Sequence, residues 1–340
     1  WLSAFFDLFL TPFGAFNAQG LLYIVLGWWA AWLLINEVTR RPDIAFLFGF
    51  PFGMGLHVFR DLNWYTIEKA AVFWIPLYAW ALIRAHDRGG KWRWLAAITF
   101  LGMSFTNLYL GLVSALLAVL VVAALSIRAA RTKEISLAFK NTFAAAAASA
   151  ILVMPLVGWQ FALMSGGEQL ASPEQFLWER AALDSFTLSP LKWNRLEIHR
   201  ALNLIALGLA IIGVVAQRND RRVQLAAAGI LSFSLLSLGP ELITGGPHNP
   251  VYMTAWYTVP GFWRIAKPET FFHVSWMLIL TIAAIQLKAF NVDRRGVLVF
   301  YAVFVAAWMI MVRSHPVYPT MTMPIDVKMN PNATQRAFQK

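Results

Sequence analysis

Long apolar runs recur along this chain at short intervals, and each is close to the length that crosses a bilayer. A spanning helix needs about 20 mostly apolar residues. The first clear run, Gln19 to Asn36, reads LLYIVLGWWAAWLLIN and stops at Arg40 and Arg41. A shorter Gly- and Phe-rich run covers Ile44–Phe59, followed by Ala70–Ile83, Leu95–Thr106 and Leu108–Ile127, the last two reading as a tight hairpin at Asn107. Thr142–Met164 carries a polyalanine stretch at 144–148, whose small side chains suit a packing seam. Beyond a polar segment lie Ala201–Val215, Val223–Leu238, Phe271–Leu287 and Val297–Val312. The pattern predicts an all-α, polytopic transmembrane bundle of about ten helices.

Composition agrees. Charged residues make up 13% of the 340 positions, against roughly 25% in a soluble domain, too few to clothe a water-facing surface. Sixteen tryptophans and twenty-six phenylalanines suit a chain with bilayer interfaces, where aromatic rings collect. The net charge of +11 would suggest nucleic acid in a soluble protein; here it reads as topology, and no nucleic-acid partner is expected. There is no cysteine, and the six histidines include no i, i+4 pair, so a haem or paired-imidazole metal site is not expected.

Alternating the loops sorts the charge. Arg40, Arg41, Arg84, Arg88, Lys91, Arg93, Arg128, Arg131, Lys133, Lys140, Arg218, Arg221, Arg222, Lys288, Arg294 and Arg295 fall on one side. Only Glu37, Asp43, Asp87, Glu134, Asp220 and Asp293 accompany them. By the positive-inside rule that side is cytoplasmic. The long loops, 165–200 and 240–268, and a C-terminal segment 314–340 then lie outside. Residues 1–17 read as the end of an external loop, re-entrant in character, and 18–313 as the bundle. The chain opens on Trp1 within an apolar stretch, which reads as the middle of a longer protein.

Chemistry is expected on the external side, because few charges fall inside the runs. Gly53, Gly55 and His57 interrupt one of them, most simply for close helix packing. Arg60, Asp61, Trp64, Tyr65, Glu68 and Lys69 crowd one external loop. Glu241, His248, Tyr252, Trp256, Tyr257, Arg264, Lys267 and Glu269 lie in or beside another. Arginine and lysine at the membrane surface suit a phosphate head group, and a neighbouring carboxylate suits general-base work. An interfacial belt with snorkelling cations is the plainer alternative. Ser172-Pro-Glu, in the loop 165–200, reads as a capped external helix.

The order of segments resembles the bacterial polytopic membrane glycosyltransferases of the GT-C superfamily. The resemblance rests on LLSLGP (235–240), NPVY (249–252) and VPGFWRIAKPETFF (259–272) leading into a span. Paired Arg40 and Arg41, WIPLY (74–78) and TNLYLGL (106–112) extend it over most of residues 20–313. It implies a GT-C-like bundle in a bacterial inner membrane, transferring a sugar from a polyprenyl-phosphate donor to an acceptor on the external face. Arg264 and Lys267, with Arg60, His248 and Glu269, would hold the lipid phosphate. Asp7, Asp61 and Glu68 are the candidate catalytic carboxylates. Such enzymes carry an acid, acting as base or metal ligand, on the loop after their first span, most of which would precede Trp1. The cofactor is open, with a divalent metal ion one candidate. Partners expected are membrane lipids, the polyprenyl-phosphate sugar and other membrane subunits. Two rival readings stand beside this: a non-catalytic scaffold or accessory subunit of a larger membrane complex, and a transporter of a lipid-linked substrate.

Overall fold

The computed structural model describes residues 5–6, 8–55, 58, 70–132, 135–164, 197–242, 247–259, 262, 268 and 270–314. Among them the secondary structure is helical, apart from one isolated antiparallel bridge. The helices are α1 (Pro12–Thr39), α2 (Pro42–Gly53), α3 (Trp74–Arg88), α4 (Lys91–Thr106), α5 (Leu108–Thr132), α6 (Ile135–Met164), α7 (Glu197–Ala216), α8 (Arg221–Ser237), α9 (Pro250–Thr258), α10 (Thr270–Ala289) and α11 (Arg294–Ser314).

Among the described residues three helices are long and apolar enough to cross a membrane: Gly14–Thr39 within α1, Tyr109–Ile127 within α5, and α10. Ile205–Ala216 is a shorter apolar helix. The protein is therefore a membrane protein. α10 is its central post: 83% of its most apolar stretch is buried, against 33% for that of α5. It packs against α1, α2, α3, α5, α7 and α8. Apolar side chains on other helices face outward instead. Leu21, Val25 and Trp29 form a stripe at i, i+4, i+8 on α1, and Ile151, Ile211, Leu231, Leu298 and Val303 are exposed as well. Water would penalise such a surface; lipid does not.

Helix bounds differ from the apolar runs at their polar ends. α1 starts at Pro12 because Thr11 caps it, accepting from Gly14 N at 3.2 Å, with proline at the first turn. Residues 12–17 thus belong to the first helix. α6 starts at Ile135, ahead of the run, because helix propensity carries through Lys140 and Asn141. The turn at Asn107 is as expected: α4 ends there, and its side chain accepts from Tyr109 N at 2.9 Å. In the polyalanine stretch Ala145 is fully buried, and α6 packs along α3, α4 and α5.

Glycine decides how closely α1 and α2 approach. Gly27 and Gly53 face each other, and a Cβ on Gly53 would overlap Trp28 N and come within 2.5 Å of Ile24 O. A Cβ on Gly49 would meet Trp28 O at 2.9 Å. The small-residue packing expected of Gly53 is what the structure contains; His57 lies outside the described residues. The close approach lets tryptophans tie the helices through backbone carbonyls. Trp28 Nε1 donates to Phe46 O (3.1 Å), Trp32 Nε1 to Pro42 O (3.2 Å) and Trp276 Nε1 to Pro51 O (3.4 Å). These indoles fasten helices, a role the composition did not separate from an interfacial belt.

The basic loops gather at one end of the bundle. Arg41 bonds Asp43 there and donates to Val292 O at 3.1 Å, joining the start of α2 to the turn before α11. Arg93 donates to Asn141, whose Nδ2 donates to His86 O at 3.2 Å. Thr39, Gln217, Asp220, Arg222 and Lys288 line a cavity of about 340 Å³ at this end. Glu37 is buried rather than marginal: Arg40 reaches its Oε1 at 2.7 Å and Arg84 its Oε2 at 2.5 Å, linking α1 to α3.

Gly53→Ala should lower stability by about 1–3 kcal/mol through overpacking of this seam. Gly158→Ala, where an added Cβ meets nothing within 4 Å, should leave it unchanged or slightly raised. Unfolding of both variants in lipid or detergent, followed by circular dichroism, checks the contrast.

Candidate functional site

The most built feature at the end opposite the basic loops is the segment between α8 and α10. It is assembled around Asn249. This side chain is fully buried and uses every hydrogen-bonding site it has in a productive way. Nδ2 donates to Leu235 O at 2.6 Å and Gly239 O at 2.9 Å, closing the end of α8. Oδ1 accepts from Val251 N (3.2 Å) and Tyr252 N (3.3 Å), capping α9. One amide thus donates to a carbonyl of the last turn of α8 and to the turn that follows, and accepts from two of the N–H groups that α9 leaves open. Gly239, at φ 75°, makes the turn before it. The bridge Glu241–His248 and the bond from Leu242 N to Pro247 O (3.2 Å) close the loop above.

Asn249 aims α9 so that Tyr252 and Trp256 point inward. Tyr252 lies 5.2 Å from Phe262, edge to face, and Phe262 stacks on Phe271 at 5.6 Å. Tyr252, Phe262 and Phe271 are completely buried. Phe262 therefore pins the chain just after α9, and buried Pro268 and Thr270 pin it again at the start of α10. Among the described residues the Tyr252 hydroxyl, set in this aromatic layer, has no hydrogen-bond partner. Burial pushes its pKa well above the ordinary phenol value, so it stays neutral. On the same helix Tyr257 points the other way and is 75% exposed.

Of the residues singled out in the sequence, His248 is exposed and takes part in the loop bridge with Glu241. Arg264 and Lys267 belong to the five-residue link between the two anchors, Phe262 and Pro268. Asp7, Arg60, Asp61, Glu68, Arg264, Lys267 and Glu269 lie outside the described residues. So do the capped helix expected at Ser172 and most of the loop 165–200. Among the described residues no three His, Asp or Glu side chains cluster to hold a metal ion.

Asn249 is the residue that sequence reasoning passed over. Its signal was present: asparagine followed by proline marks a helix cap and first turn. Its second function, closing α8 ten residues upstream, has no sequence signature.

No family model, curated protein or solved structure matches this chain.

Asn249→Ala should cost about 1–3 kcal/mol, since it removes the α9 cap and takes a donor from the buried Gly239 O. Tyr252→Phe should leave stability equal or slightly higher, because the hydroxyl it removes is unpartnered. Thermal unfolding of the two variants side by side checks both signs.

Proposed function

We propose that this protein is a membrane-embedded glycosyltransferase of the GT-C type. It transfers a sugar from a polyprenyl-phosphate donor to an acceptor at the bundle end away from the basic loops. By the positive-inside rule the basic end faces the cytoplasm, so transfer takes place on the external face of a bacterial inner membrane. The helices other than α1, α5 and α10 that run the depth of the bundle complete about ten crossings. The outward-facing apolar side chains on α6, α7, α8 and α11 support that count.

The observation that carries the reading is the pair of buried anchors, Phe262 and Pro268, on either side of residues 263–267. A transferase must hold a lipid phosphate at the membrane surface while its bond to the sugar breaks. Here buried Phe262, stacked on Phe271, and buried Pro268 fix the two ends of the short link bearing Arg264 and Lys267. In the reaction the bond between the anomeric carbon and the donor phosphate oxygen breaks. The two cations take up the charge that develops on the departing phosphate. The acceptor oxygen bonds to the anomeric carbon, and its proton passes to a carboxylate, for which Asp7, Asp61 and Glu68 are the candidates.

A second reading has one observation in its favour. Tyr257, exposed on a helix this well fixed, suits a protein partner, as in a non-catalytic subunit of a larger membrane complex.

The deciding experiment supplies radiolabelled polyprenyl-phosphate sugar to the full-length protein in lipid. Transfer should fall roughly a hundredfold in Arg264→Ala, and Lys267→Ala should weaken donor binding. Turnover unaffected by Arg264→Ala would remove that residue from the site. A folded sample that neither binds nor transfers donor, and that purifies with a stoichiometric partner, would establish the subunit reading instead.

A further inference from the structure

At the basic end, where α3 turns into α4, three cations converge on one indole. Arg84, Arg88 and Lys91 lie 5.5, 5.7 and 5.9 Å from the centre of the Trp92 ring. Arg84 is also 5.5 Å from the Trp80 ring, and the two tryptophans meet edge to face at 5.4 Å. Glu37 answers the charge of Arg84, but it is shared with Arg40. Among the described residues Arg88 and Lys91 form no ion pair. Asp87, exposed on the same turn, is the other acid nearby. The α4 N-terminus adds its own partial positive charge, since Gly90 provides no side-chain cap and the first turn has no acid. Like charges gathered this way repel one another unless an anion lies between them.

A polyvalent anion beside the two exposed cations relieves that repulsion. The surface next to the corner indicates where that anion comes from. Lys91 heads a stripe on α4, followed at i+3, i+7 and i+14 by Trp94, Ile98 and Phe105, all about 60% exposed. A phosphate in the corner and an acyl chain along the stripe describe a single phospholipid.

We propose that Arg84, Arg88, Lys91 and the two indoles form a binding site for the phosphate of an anionic phospholipid, in the leaflet at the basic end. The Arg88 and Lys91 side chains contact the phosphate from outside. An acyl chain runs down Trp94, Ile98 and Phe105. This site lies at the opposite end of the bundle from the segment 249–270 and requires nothing of the donor chemistry proposed there.

The test uses the full-length protein in nanodiscs of mixed phosphatidylcholine and phosphatidylglycerol, with co-retained lipid counted by native mass spectrometry. Arg88→Gln combined with Lys91→Gln removes two exposed cations and leaves the Glu37–Arg84 pair intact, so folding should survive. It should reduce preferential retention of phosphatidylglycerol by roughly 10- to 30-fold, at about 1 kcal/mol for each cation. Arg218→Gln with Arg221→Gln removes the same charge from another loop at this end and should leave retention unchanged. Equal retention in the first variant overturns the site. An equal loss in the second shows a diffuse surface potential and overturns it as well. Displacement of the lipid by millimolar inorganic phosphate would assign the corner to free phosphate and overturn the lipid as its occupant.

Discussion

A bilayer offers no hydrogen bonds, and the rest of this structure follows from that. Backbone groups within lipid must find partners in the protein, which leaves the helix as the local solution for a chain of this kind. The hydroxyl groups obey the same constraint. Thr39, Thr99, Ser104, Thr106, Ser149 and Thr281 each return their hydroxyl to the carbonyl four residues back, at 2.7–2.9 Å. They can be buried because each carries its partner on its own helix. Indole N–H groups have no such local option, and Trp28, Trp32 and Trp276 reach carbonyls of α2 instead. A polar atom that cannot be satisfied locally thus becomes a tie between helices.

The same need organises both ends of the bundle. At the basic end Glu37 is drawn inside and met by Arg40 and Arg84; a buried carboxylate left alone would be far more costly than the pair. At the other end Asn249 closes α8 and opens α9 with one side chain. The two regions differ in what remains unsatisfied. Beside Asn249 a single neutral hydroxyl, Tyr252, is left over in an aromatic layer. Beside Glu37 the surplus is positive charge. The surplus at the basic end matches the phosphate head group proposed there.

The position of α10 explains why these ends are separate. As a buried post in contact with six helices, it holds the turn before α11 at the basic end and the aromatic anchor of Phe271 at the other. Along it Thr281 returns its hydroxyl to Met277 O of its own helix, and Ser275 meets Ser234 of α8 at 3.1 Å.

Hydropathy alone determined the helical class, the membrane setting and the segregation of basic loops, because burial in lipid acts on each segment independently of its neighbours. The turn at Asn107 and the glycine seam at Gly53 were legible for a related reason: turn and small-residue signals are local. Tertiary structure decided the rest. Whether a tryptophan lies at an interface or fastens two helices depends on a carbonyl eighteen or more residues away, as for Trp28 and Trp276. Glu37 looks like a flanking charge until Arg84 arrives from α3. Lys91, Arg88 and Arg84 look like any basic loop until the turn between α3 and α4 points all three at Trp92. Such meetings join residues whose own segments carry no record of each other, and only the packed bundle brings them within reach.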